Sequence, residues 1–215
     1  FADVTVIVPK FEQSAKSHSI EIRSAFEIRQ VELEPGITVW TVDSTPADCV
    51  RFAVSGLKMH FDLVISGINR GLNVGADIMY SGTVGAVYEA VALGIPAIAF
   101  STSPAYYDKA VEKLDMAYDF VREHQLLEKN MFYNINIPAE PTGIRITRQG
   151  GPYFLETFQK LENDMYMPIG KPIQSVGTDL TLDTVAHRQG YISISPMTTD
   201  RTNQSLFQEL ETLNN

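Results

Sequence analysis

Between Phe61 and Pro138 the chain alternates strand-like and helix-like runs, and this alternation restricts its fold more than any other feature. FDLVISG (61–67), PAIAFS (96–101) and MFYNINIP (131–138) are short, apolar and bounded by turn residues. Between them, SGTVGAVYEAVALG (81–94) carries Val84, Val87 and Val91 at helical spacing, with Gly94 as a stop. DKAVEKLDMAYDFVREH (108–124) is amphipathic, with Val111, Leu114, Ala117, Tyr118 and Val121 on one side. Apolar strands separated by helices pair in parallel, because a parallel connection needs a crossover that such a helix supplies. The pattern predicts an α/β fold built on a Rossmann-like, doubly wound, mostly parallel sheet.

The flanks extend this pattern. ADVTVIVP (2–9) reads as a buried parallel strand ending at Pro9, and the polar KFEQSAKSHS (10–19) as a loop. IEIRSAFEIRQVEL (20–33) and ITVWTVD (37–43) read as strands around the turn Glu34-Pro35-Gly36. Thr45-Pro46-Ala47-Asp48 is a helix start, with a capping Thr, Pro at the first position and an acid in the first turn. That helix should run to Leu57. GIRITRQ (143–149) and GYISISP (190–196) read as strands, and SLFQELETL (205–213) as a last short helix. Residues 150–189 hold Gly, Pro, Met and aromatics without sustained periodicity, which suggests a hairpin arm. The expected division is an α/β core over 1–149 and a smaller β-rich carboxyl-terminal appendage over 150–215.

Composition removes several classes of function. With 215 residues, 44% hydrophobic and 20% charged, the chain has material for a globular core. Lys and Arg number 17 against 26 Asp and Glu, a net charge of −9, which argues against a nucleic-acid surface. Cys49 is the one cysteine, so no intrachain disulfide forms, and a reducing, cytoplasmic setting is expected. No apolar run reaches the roughly 18 residues of a membrane span, and no secretory signal is visible.

Ligands of open α/β sheets sit at the carboxyl ends of strands, and two segments have that position. SGINRGLNVG (66–75) sets Asn69 and Asn73 among glycines, which allow close backbone approach to a ligand. Its plain alternative is a glycine-rich turn with left-handed Asn. Tyr80-Ser81-Gly82-Thr83 begins an apolar helix, where free N–H groups and the helix dipole favour an anion. Its plain alternative is a simple N-cap. Together, a few residues apart, they favour a phosphate site. There is no Walker loop, no G-x-G-x-x-G after the first strand and no G-x-S-x-G, which removes the usual nucleotide-triphosphate, nicotinamide and esterase signatures. His18, His60, His124 and His187 lack metal-ligand spacing, and Cys49 reads as a small core residue.

The chain resembles the SurE, or stationary-phase survival protein, family of metal-dependent nucleoside monophosphate phosphatases. The resemblance rests on EQSAKSHSI (12–20), STPADCV (44–50), VISGINRGLNVGADIMYSGTVGAVYEA (64–90), GIPAIAFS (94–101), NINIP (134–138), RITRQ (145–149) and GYISISP (190–196). It implies a 5′/3′-nucleotidase acting with a divalent cation, Mg²⁺ or Mn²⁺, and a homodimer or homotetramer held by carboxyl-terminal arms. By the same resemblance Ser14 and Asn69 are metal ligands, and Asn73, Ser81, Gly82 and Thr83 hold the substrate phosphate. Asp200 and Gln204 fall where some members carry an acid and a histidine for proton transfer, although glutamine does not titrate. Members open with a strand ending Asn-Asp-Asp-Gly, whose aspartates bind the metal, then a helix; FADVTVIVP begins after these, so a strand–helix unit is expected to be missing. Ser14 and Asn69 alone offer a hard cation only neutral oxygens. The alternative reading is therefore a non-catalytic, oligomeric nucleotide or phosphate binder.

Overall fold

A computed structural model describes residues 3–173 and 177–214. Strands β1 (Val6–Pro9), β2 (Ile28–Glu34) and β3 (Ile37–Val42) form a sheet in the order β1-β3-β2, with β1 parallel and β2 antiparallel to β3. Helix α1 (Pro46–Arg51) starts as the sequence predicts, the Thr45 hydroxyl accepting the Asp48 amide at 3.1 Å, and runs on into a π-helical turn over Phe52–Gly56. β4 (Val64–Arg70) follows, then a 3₁₀ turn (Gly75–Tyr80), α2 (Gly82–Ala92) and β5 (Ala97–Thr102). α3 (Tyr107–Val111), α4 (Leu114–Glu123) and α5 (Leu126–Lys129) lead to β6 (Phe132–Ile137) and β7 (Gly143–Ile146). β8 (Phe154–Lys160) and β9 (Tyr166–Pro172) pair as an antiparallel hairpin. α6 (Asp183–Arg188), β10 (Tyr191–Pro196) and α7 (Gln204–Leu210) close the described chain.

The five-stranded sheet has the order β4-β5-β6-β10-β7. β4, β5 and β6 are mutually parallel, and β10 runs antiparallel to β6 and parallel to β7. This is the mostly parallel α/β architecture that the alternation implies. β5 and β6 are buried along their whole length. One apolar cluster joins Ile98, Phe100, Ile135, Ile137, Ile192 and Ile194 to Ala117 and Val121 of α4. A second joins Val84, Val87 and Ala90 of α2 to Val50, Ala97, Ala99 and Phe132.

Several segments differ from the sequence expectation. The strand expected as buried over 2–9 forms, among the described residues, only from Val6 and is at most half-buried. β10, expected in the carboxyl-terminal appendage, is inserted between β6 and β7 of the main sheet. The strand expected over 20–33 forms only from Ile28: Glu21 turns the chain by accepting the amides of Arg23 and Ser24, at 2.7 and 2.9 Å. β4 does not stop at Gly67 but reaches Arg70, because the chain slips register after Ser66 and resumes pairing at Asn69↔Ser101. Gly67 makes this possible, since its φ is +119° and an added Cβ would stand 2.2 Å from the Phe100 carbonyl oxygen. The helix expected over 108–124 divides into α3 and α4 where the Lys113 amide turns back to the Ala110 carbonyl, at 3.0 Å. No helix among the described residues is long and apolar enough to cross a membrane.

β1 and β4 are each an edge strand of their own sheet. Both line one cavity of about 1070 Å³, together with Cys49, Val50 and Ala53. Its polar end is the candidate site.

Candidate phosphate site

The site grows from the order in which the chain leaves β4. Asn69 is still in the strand and lines the cavity, its Nδ2 donating to the Gly71 carbonyl at 2.8 Å. The loop 71–74 then brings Asn73 over the sheet, where it is nearly fully buried. The 3₁₀ turn over Gly75–Tyr80 delivers Ser81 as the N-cap of α2, with its Oγ accepting the Val84 amide at 3.1 Å. An α-helix leaves its first N–H groups without intrahelical acceptors. Gly82 and Thr83, whose amides belong to the first turn and so lack intrahelical acceptors, line the cavity at the positive end of the helix dipole.

Ser14 reaches the cavity through the close packing of its loop on α2. The Ser17 amide donates to the Tyr80 carbonyl at 3.0 Å and the Ser17 hydroxyl to the Met79 carbonyl at 2.6 Å. Gly85 allows this approach, since a Cβ there would meet the Ser17 carbonyl oxygen at 2.3 Å. His18 completes the attachment through Nε2 to Glu89 at 2.7 Å. Ser14, Asn69, Asn73, Ser81, Gly82 and Thr83, far apart in sequence, thus line one cavity.

Asp200 and Gln204 do not join them. Asp200 is exposed on a second cavity of about 660 Å³, which shares Ser81 with the first. The Thr202 amide and side chain and Gln204 hydrogen-bond its carboxylate and hold it below the usual carboxylate range. Cys49 is buried in α1, and burial pushes its thiol up to about 12, so it is a neutral core side chain.

The resemblance implies a divalent cation at Ser14 and Asn69, and the donor set does not fit one. The Ser14 hydroxyl donates to Glu12 at 2.6 Å. The carboxylates lining the cavity among the described residues are Glu12 and Asp77. Asp77 Oδ2 already accepts the amides of Tyr153 and Phe154, each at 3.0 Å. No group of three or more His, Cys, Asp or Glu side chains able to hold a metal occurs among the described residues. Hard divalent cations take six or so oxygen ligands with anionic ones prominent, which neutral hydroxyl and amide oxygens do not replace.

Sequence reasoning missed the residues that hold this site from behind. Asp183, fully buried, accepts the amides of Gly75, Gly150 and Thr184. Ser101, Asn134 and Asn136 all bond to Asn73. The available signal was the run NINI, in which two asparagines occupy one face of an otherwise apolar strand.

The family model for "Survival protein SurE" matches residues 1–155. The chain is 38% identical over 218 residues to the "5'-nucleotidase SurE" of Thermoanaerobacter sp. (strain X514), covering 96% of this chain and 86% of that protein. It is 36% identical over 222 residues to the protein of the same name in Caldanaerobacter subterraneus subsp. tengcongensis, covering 97% and 85%. The crystal structure of the SurE protein from Aquifex aeolicus superposes with a TM-score of 0.77 at 30% identity, covering 98% of this chain and 88% of that one.

Proposed function

This chain belongs to the survival protein SurE family, and from that premise we propose that it is a phosphohydrolase cleaving nucleoside monophosphates to nucleoside and phosphate. What carries the reading is the meeting of Asn73, Ser81, Gly82 and Thr83 on one cavity at the start of α2. Those groups are hydrogen-bond donors, and a phosphate dianion needs donors. The Gly82 and Thr83 amides, with the hydroxyls of Ser81 and Thr83, bind the non-bridging oxygens. Because Ser81 Oγ accepts from Val84, its proton is left to face the phosphate. The Asn73 amide, held by its neighbours, adds a fixed dipole. Water attacks phosphorus in line with the leaving ester oxygen, and these donors are worth most as charge grows on the equatorial oxygens. A protein of net charge −9 can accept an anion there, because the field is local.

In this reading Asp200, held ionised on the adjoining cavity that meets the donors at Ser81, takes a proton from the attacking water, and solvent water protonates the leaving nucleoside oxygen. A divalent ion would supply charge neutralisation, but Ser14 and Asn69 need carboxylate partners to hold it. The second reading, a nucleotide binder without hydrolysis, draws on that same donor set. Cys49, reduced and buried, fits the cytoplasmic setting we assign.

Phosphate release from AMP by the purified chain tests the reading. Asn73→Ala and Thr83→Ala should each lower kcat/KM by about 10², the size of effect seen when one preorganised donor is removed. Unchanged rates in both variants would sink the assignment, and AMP binding without phosphate release would establish the binder. For Asp200→Asn we expect about a tenfold lower kcat at unchanged KM; unaltered kcat removes Asp200 from the mechanism.

A further inference from the structure

We infer that Ser101, Asn134 and Asn136 are positioning residues that set the orientation of Asn73, an assignment resting on the phosphate-site reading above. Ser101 lies on β5 directly opposite Asn136 of β6, and Asn134 lies two residues before Asn136 on the same face. Asn73 crosses above them, and its polar groups are bound from below. Its backbone amide donates to Asn136 Oδ1 at 2.9 Å, and its carbonyl accepts from Asn136 Nδ2 at 2.8 Å and Asn134 Nδ2 at 2.7 Å. Its side-chain Nδ2 donates to Ser101 Oγ at 2.6 Å. Two strands therefore clamp one loop residue through four hydrogen bonds, and Asn136 binds its backbone as a neighbouring strand would.

Satisfying the buried Asn73 backbone accounts for part of this arrangement, but not for the Ser101 bond to its side chain. All three side chains are fully buried, and asparagine is a poor strand former. Burying polar groups is unfavourable unless each is matched, and here the matching is incomplete: Asn134 Oδ1 and Ser193 Oγ, both buried, have no partner among the described residues. The polar face gives a defined placement: three bonds hold the Asn73 backbone and a fourth ties its side-chain amide to Ser101, so the amide group cannot swing away from the site without losing a bond. A dipole that must face developing negative charge helps only if it is preorganised. The motifs AIAFS and NINIP thus acquire a role that the loops alone do not show.

Ser101→Ala removes the acceptor and little volume, and Asn136→Asp keeps the Oδ1 acceptor while losing the Nδ2 donor in a side chain of the same shape. We expect each to lower kcat for AMP at least tenfold with KM changed less than threefold, and the Tm of Ser101→Ala to stay within a few degrees of the parent. Ser101→Thr, which restores a hydroxyl, should recover most of the rate. In the parent protein the Asn73 side-chain amide should give a slowly exchanging pair of NMR signals, and in Ser101→Ala its exchange should be at least tenfold faster. Lower Tm with unchanged kcat, or unchanged exchange in Ser101→Ala, overturns the inference. If the parent chain neither hydrolyses AMP nor binds inorganic phosphate, the functional reading fails, while the exchange comparison still decides whether Ser101 orients Asn73. Should Ser101→Ala not fold, the same comparison on Asn136→Asp decides it.

Discussion

His187 and Asp48 make the molecule sensitive to acid through opposite kinds of shift. His187 sits on α6 with its Nδ1 buried and unpartnered among the described residues. Burial, with the neighbouring Arg188 charge, pushes it from 6.5 down to about 4. The unfolded chain takes up a proton below about 6.5 that the folded one refuses, so stability falls as pH drops from 6.5 towards 4. Asp48 differs in sign. Burial alone would raise its carboxyl, but hydrogen bonds from Ser44, the Glu21 amide, Arg51 and Thr45 hold it below its ordinary 3.8. The stability it supplies is present above that ordinary value and is lost as pH falls through its lowered one. The two windows are separate, so melting curves can tell them apart. His187→Gln should flatten the dependence of Tm on pH between 6.5 and 4 while leaving the steeper fall below it. An identical slope in parent and variant would show that His187 does not carry the linkage.

At the scale of elements, the hairpin β8–β9 is fastened to the phosphate site at its root. Asp77 accepts the amides of Tyr153 and Phe154, and Gly151 accepts the amide of Ala76 at 3.1 Å. Beyond that root every residue of β8 is exposed, Leu155 and Phe158 among them, with Met165 and Met167 also exposed on and beside the partner strand. Exposed apolar area of this kind marks an interaction surface, and we assign it to a second copy of the chain. By light scattering the parent chain should then have at least twice the monomer mass and Leu155→Glu with Phe158→Glu the monomer mass; parent and variant of equal mass would refute the assignment. The arm itself was poorly legible in the sequence: β8 and β9 show no periodicity because a strand exposed on both faces needs none, and α6, also within 150–189, is a helix of only six residues. β5 and β6 were legible for the opposite reason, since burial on both faces demands continuous apolar runs. Helix starts at Thr45 and Ser81 were legible because capping is local. What stayed hidden was long-range: Asp183 reaching Gly75 across 108 positions, and Asn136 reaching Asn73 across 63. Neither spacing follows from any local rule.

At the scale of the molecule, the two larger sheets share a cavity, with no hydrogen bond between their edges among the described residues. α1 and α2 pack together across them, while β1 and β4 line the space below with unpaired edges. An edge strand leaves a row of N–H and C=O groups that another strand can satisfy. The cavity is apolar along its length, with Val6, Val8, Val50 and Ile65, and polar where Ser14, Asn69 and Asn73 stand. A strand placed between β1 and β4 would bring its carboxyl end to those polar residues, where strands of α/β sheets present their ligands. An Asn-Asp-Asp-Gly end would there add the anionic oxygens that Ser14 and Asn69 lack. A version of the chain extended ahead of Phe1 by such a strand and a helix should melt at higher temperature than the 215-residue chain and hydrolyse AMP with Mn²⁺ at least 10² faster. Replacing both aspartates of the extension by asparagine separates the two effects, because the filled cavity should keep the gain in Tm while the Mn²⁺-dependent rate is lost. Equal rates in the 215-residue and extended chains would mean that the donors at the start of α2 suffice without added carboxylates.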